Sequence, residues 1–98
     1  MYPPADYSIA TSYEKASMDE PWTIYVSADN FQTPLPISIS PGKTISELQQ
    51  EIRAVFANYL RSMDFVLLEV NNMAQLYEGD LVSTILNNGT TILIDYDV

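Results

Sequence analysis

Between Trp22 and Ile39 the apolar side chains fall on every second residue. "WTIYVSA" places Trp22, Ile24 and Val26 on one face and Thr23, Tyr25 and Ser27 on the other, the period of a half-buried strand. "LPISIS" repeats the alternation with Leu35, Ile37 and Ile39 inward, and the intervening "DNFQTP" is turn chemistry, so the two runs predict a hairpin. Pro36 has no N–H to give to a ladder, which predicts an edge strand. From Thr44 the period becomes helical: Ile45, Leu48, Ile52, Val55, Phe56 and Tyr59 form one apolar stripe. Thr44-Ile45-Ser46-Glu47 opens it as a capping box, and early Glu47 and Glu51 with later Arg53 and Arg61 suit the helix dipole.

The second half is less regular. "DFVLLEV" reads as a strand with two registers. The expected one turns Val66, Leu68 and Val70 inward, because it leaves Glu69 in solvent. "NNMAQLYEGDLVSTILNNG" is irregular, with a tight turn at Glu78-Gly79-Asp80, a short helical turn after it, and Leu76, Leu81 and Leu86 as anchors. Asn87-Asn88-Gly89 predicts a turn, and "TTILIDYDV" a last strand with Ile92 and Ile94 inward. Residues 1–20 show neither period. They are expected to form a disordered tail carrying Tyr2, Tyr7 and Tyr13, which leaves residues 21–98 as one folded domain.

Composition narrows the chemistry. The 98 residues, 47% hydrophobic, suffice for one domain with a core. No apolar run approaches the ~20 residues of a membrane span, and the first residues lack the basic start and apolar stretch of a signal peptide. With no cysteine and no histidine, disulfide frameworks, His/Cys zinc sites, Ser–His or Cys–His nucleophiles and haem ligation by His or Cys are excluded. The chain is expected to be non-catalytic and to need no cofactor. Thirteen acids against four bases give a formal charge of −9. Lys15, Lys43, Arg53 and Arg61 are too few to neutralise nucleic acid or an anionic membrane surface. A protein partner with a basic or apolar surface fits better, in a cytoplasmic setting.

Two local motifs raise sharper chemistry. "SPGKTIS" ends as a phosphate-binding loop ends, but that loop needs a second glycine where Ile37 stands, so that bare amides can surround the phosphates. The segment is expected instead to be a strand-to-helix turn with an N-cap. Glu78 and Asp80 are two carboxylates in a turn, short of the ligand count of a calcium site; no metal site is expected.

The order hairpin, helix, strand, irregular stretch, final strand resembles the ubiquitin-like β-grasp. "ISISPGKTISELQQEI" is similar to ubiquitin from its second strand into its helix, and "LVSTILNNGTTILI" to the stretch entering its last strand, over residues 22 to 96. The resemblance implies an α+β fold: a mixed sheet of four to five strands packed on one helix. Ubiquitin-like modifiers end in Gly-Gly, whereas this chain ends Asp95-Tyr96-Asp97-Val98; the modifier role therefore requires processing from a longer precursor. "VSADNFQTPLPISISPGKTISELQQEIRAVFAN" is more loosely similar to the ubiquitin-like amino-terminal domains of trypanosomatid flagellar-pocket-collar scaffolds, through Ala28, Asp29, Phe31, Ile45, Ser46, Glu47, Leu48, Phe56 and Asn58. That likeness implies a cytoskeletal assembly module that docks a partner protein.

In the expected register the outer sheet face carries Tyr25, Phe65, Leu67 and Leu93, rimmed by Glu69 and Asp95. Leu67 and Leu93 occupy positions similar to ubiquitin's recognition patch. Contiguous exposed apolar patches mark interfaces, so these six residues form the expected partner-binding site.

Overall fold

A computed structural model describes residues 20–96. The expected tail, apart from Glu20, and the last two residues lie outside the described residues. Four strands and one long helix follow in the order β1 (Trp22–Ser27), β2 (Leu35–Ile39), α1 (Ile45–Val55), β3 (Phe65–Glu69), a four-residue helical turn α2 (Val82–Ile85) and β4 (Thr91–Tyr96). The sheet is mixed, in the order β2-β1-β4-β3. β1 runs antiparallel to β2 and parallel to β4, and β3 runs antiparallel to β4. Four strands on one main helix is the α+β architecture the ubiquitin-like resemblance implies, with β2 at an edge as Pro36 predicts.

The core lies between α1 and one sheet face. β1 and β2 contribute Ile24, Val26, Ile37 and Ile39, β4 contributes Ile92 and Ile94, and α1 contributes Ile45, Leu48 and Ile52, all buried. α1 begins where its capping box says it should: the Thr44 hydroxyl accepts from the Glu47 amide at 3.2 Å, and the Glu47 carboxylate accepts from the Thr44 amide at 2.9 Å. The buried stripe of the helix is narrower than expected. Val55 and Tyr59 are exposed, and the buried polar Gln49 joins Ile45, Leu48 and Ile52 instead. The helix ends at Val55, so the 3.6-residue period stops before Tyr59 and its ring leaves the stripe.

β3 takes the register opposite to the expected one. Its ladder with β4 pairs Phe65 with Tyr96, Leu67 with Ile94 and Glu69 with Ile92. Directly opposite residues share a face, and Ile92, Ile94 and Tyr96 are all buried. Phe65 and Leu67 are therefore core residues, and Val66 and Leu68 point to the outer face. The expectation turned on keeping Glu69 out of the core, but Glu69 is the last strand residue and only half-buried. Its carboxylate accepts from the Asn71 and Asn72 amides at 3.1 Å each, so this register leaves no unpaired charge inside. Val70 lies beyond the strand and is exposed. Among the loop anchors, Leu76 and Leu86 are buried as expected. Leu81 is 42% exposed and its neighbour Val82 is buried in its place, because Leu81 caps α2 and the helical turn swings the next residue inward.

Candidate functional site

The outer sheet face is built from alternate residues of three neighbouring strands. Tyr25 on β1 lies between Pro36 of β2 and Thr91 of β4; Leu93 on β4 lies between Ser27 of β1 and Leu68 of β3; Asp95 lies opposite Val66. Tyr25 is 38% exposed, Leu93 and Val66 are half-buried, Leu68 is nearly covered, and Asp95 is exposed. Of the six residues read as a partner site, Tyr25, Leu93 and Asp95 stand on this face. Phe65 and Leu67 do not: they are buried in the core, Leu67 with no exposed surface. Glu69 is on the core-side register and tied into the turn after β3. Val66 and Leu68, which the sequence reading turned inward, take the vacated places. The signal that separates the two registers is the buried run Ile92, Ile94, Tyr96 across the ladder, visible only once β3 and β4 are known to be paired.

One sheet edge is covered by the chain itself, and the other lacks a donor at Pro36. The Tyr25 amide donates to the Thr90 carbonyl at 2.9 Å, so the Tyr25 backbone faces β4 and those of Ile24 and Val26 face β2. Across the β2 ladder this leaves Pro36 and Ser38 facing the free edge, and Pro36 has no N–H to offer. At the other edge the chain covers itself. Leu76 donates its amide to the Leu67 carbonyl at 2.8 Å, Glu69 donates to the Ala74 carbonyl at 2.9 Å, and Gln49 Nε2 donates to the Phe65 carbonyl at 3.4 Å.

The start of α1 has no room for a phosphate. The Thr44 amide donates to Glu47 Oε1 at 2.9 Å, Ile45 to the Asp80 carbonyl at 2.9 Å, Ser46 to the Glu78 carbonyl at 3.0 Å, and Glu47 to Thr44 Oγ1 at 3.2 Å. The four amides that a helix start leaves unpaired are all taken. Val82 and Ser83 donate in turn to the Lys43 and Pro41 carbonyls. Residues 78–83 thus clamp the "SPGKTIS" turn, and Glu78 and Asp80 act there through their backbone. No group of three or more Asp, Glu, His or Cys residues gathers into a metal cage among the described residues. Nor is any helix among them long and apolar enough to cross a membrane.

Charge is distributed unevenly. Lys43 lies 3.8 Å from Glu47, Arg61 lies 3.1 Å from Asp29 with its guanidinium 4.4 Å over the Tyr96 ring, and Arg53 stacks 4.8 Å over Phe65 and donates to the Met63 carbonyl. All three described cations are thus engaged within the chain, and exposed acids such as Asp95, Glu51 and Asp64 dominate the field outside. The Glu47 carboxyl is held below its usual range, first by the Thr44 backbone amide and further by Lys43 and the Thr44 hydroxyl.

No family profile matches the chain, and no curated protein matches it significantly. Solved structures do. The amino-terminal ubiquitin-like domain of the 4931431F19Rik protein superposes with a TM-score of 0.64 at 11% identity, over 82% of this chain and 78% of that one. A structure described as molecular mimicry of SUMO that promotes DNA repair superposes with a TM-score of 0.62 at 14% identity, over 78% of this chain and 91% of that one. At such identities the likeness concerns the fold, and it agrees with the strand order, the capped helix and the closing strand described above. The chain has the ubiquitin-like β-grasp fold.

Proposed function

We propose that this domain is a non-catalytic protein–protein docking module that binds a partner across its outer sheet face. The observation that carries the reading is the band Tyr25, Leu93 and Val66, backed by the nearly covered Leu68, with Asp95 exposed beside it. Apolar surface bordered by charge is the usual composition of a docking site. The covered β3 edge and the missing Pro36 N–H on the β2 edge favour docking by face over strand addition, and the engaged cations and net charge of −9 favour a partner with a basic rim. A cytoplasmic scaffold, cytoskeletal in the sense of the flagellar-pocket-collar likeness, is the setting this reading fits. Ala28, Ile45, Leu48 and Phe56, which carry part of that likeness, are core residues, so they speak for shared fold more than shared role.

The test is affinity capture with the full chain and with a Tyr25→Asp, Leu93→Asp variant, both checked for folding by circular dichroism. The captured partner is then purified and titrated against each. The face reading expects the variant to bind about tenfold more weakly or worse, and parent binding to weaken as salt rises. Equal affinity for a folded variant removes the outer face from consideration.

A further inference from the structure

On the helix side of the sheet, away from the outer face, the β1–β2 connection and the segment after α1 border a half-open cavity of about 300 Å³. It is lined by Asn30, Phe31, Gln32, Thr33, Leu35 and Tyr59. Its volume is at the low end of the ~300–1,000 Å³ of small-ligand sites, a size for one large side chain rather than an extended ligand. Two of its walls are aromatic and both rest on the same buried ring. Phe31 meets Phe56 edge-on at 6.2 Å and 80°, and Phe56 meets Tyr59 at 6.3 Å and 78°.

The walls are also tied together. Asn30 Nδ2 donates to the Tyr59 carbonyl at 2.9 Å, and Asn30 Oδ1 accepts from the Tyr96 hydroxyl at 2.8 Å, while the Arg61 amide donates to that same hydroxyl at 3.2 Å. One side-chain amide thereby joins the β1–β2 loop, the end of the helical segment and β4, and the cavity is held open before anything binds. Tyr59 remains 60% exposed, so the side of its ring turned away from Phe56 is open to a contact. Leu35 supplies an aliphatic wall, and the exposed Gln32 amide and Thr33 hydroxyl supply donors and acceptors at the mouth.

We propose that this cavity receives one aromatic side chain, tryptophan or tyrosine, from a partner segment whose flanking residues are basic. The chemistry of the occupant follows from the lining. No lining residue is charged, so the inserted group is neutral. Edge-to-face contacts with Phe31 and Tyr59 extend a ring array already present. The Gln32 and Thr33 groups suit an indole N–H or phenol O–H. The flanks are basic because the surface outside is not neutral: the chain carries −9, and its three described bases are engaged. The Asp29 carboxylate, next in sequence to the lining residue Asn30, is 64% exposed despite its pairing with Arg61. This anchor site is independent of the outer-face reading and stands if that face proves inert.

The test is a titration of the full ¹⁵N-labelled chain, followed by NMR, with the peptide acetyl-Arg-Arg-Trp-Arg-Arg-amide. Two control peptides replace its tryptophan with alanine or its arginines with glutamates. Saturable shifts of the Asn30, Phe31, Gln32, Thr33 and Tyr59 amides are expected with the first peptide, and binding about tenfold weaker or worse with each control. Tyr59→Ala, a change at an exposed ring, is expected to abolish the shifts while the rest of the spectrum persists, and Tyr59→Phe to retain them. Equal shifts with the alanine peptide, shifts confined to Tyr25, Leu93 and their neighbours, or no shifts at millimolar peptide would overturn the proposal. So would cavity-residue shifts caused by deleting residues 1–19 with no peptide present, since the occupant would then be the chain's own tail.

Discussion

Met73 carries a φ of 61°, the left-handed region that an L side chain enters at a cost of roughly 1–2 kcal/mol. It sits in the turn after β3, where its amide donates to the Glu69 carbonyl at 2.7 Å, and its side chain is exposed, so little packing offsets the strain. Met73→Gly is therefore expected to raise stability by about 0.5 kcal/mol or more, after allowance for glycine's freer unfolded chain. A fall in the urea midpoint would count against this account. Glu47 offers a second residue-scale prediction. Its folded pKa is depressed below the ordinary 4.5 by the Thr44 amide, Lys43 and the Thr44 hydroxyl, so its charge contributes stability in full above that value. The contribution is lost as pH falls through the lowered folded pKa. Glu47→Gln keeps the capping geometry without the charge. The parent should be the more stable at neutral pH, and the two should converge in acid. A gap in urea midpoint that persists once pH has fallen well below the lowered folded pKa would show that charge is not its source.

At the scale of elements, α1 does more than fill the core. Gln49, its one buried polar side chain, reaches across to the Phe65 carbonyl on the side of β3 away from β4. Gln49→Leu keeps the volume and removes the donor, leaving that carbonyl unpaired at a cost of about 1–2 kcal/mol. Hydrogen exchange is expected to quicken along β3 more than along β1. Uniform loss of protection across both strands would mean that Gln49 acts as packing alone. The capping box was legible from four residues because its chemistry is local. The pairing of Ile45 and Ser46 with the carbonyls of Asp80 and Glu78 was not, because those residues lie more than thirty positions away and contribute backbone, which carries no side-chain signature.

For the whole molecule, the register of β3 decides which substitutions the fold tolerates. Leu67 and Leu93 read alike in the sequence pattern, yet the ladder puts Leu67 in the core and Leu93 on the outer face. Leu67→Asp would bury an unpaired charge and is expected to cost more than about 4 kcal/mol, enough to unfold a domain of this size. Leu93→Asp should leave the circular dichroism spectrum native and the melting temperature within a few degrees of the parent. Thermal melts of the two single variants check this; similar destabilisation by both would contradict the assigned faces. The same whole-molecule view separates two candidate surfaces, an outer face across three strands and a cavity behind the β1–β2 loop, on opposite sides of one sheet.

The sequence by itself determined the elements and their order, the edge position of β2, the inward faces of β1, β2 and β4, and the start of α1. Each depends on a period or a cap that repeats or closes within a few residues, so no partner is needed to read it. Tertiary structure alone decided the face of β3, since Phe65, Val66, Leu67 and Leu68 are apolar on both sides and only the buried row of β4 breaks the tie. It alone placed Tyr59 outside the core, by ending the helix before its period ran out, and left Val55 exposed at the helix end. It alone made the cavity, whose walls come from segments almost thirty residues apart joined through Asn30. Alternation records which side a residue takes along its own strand; which of two apolar sides meets the core is fixed by what the neighbouring strand brings to it.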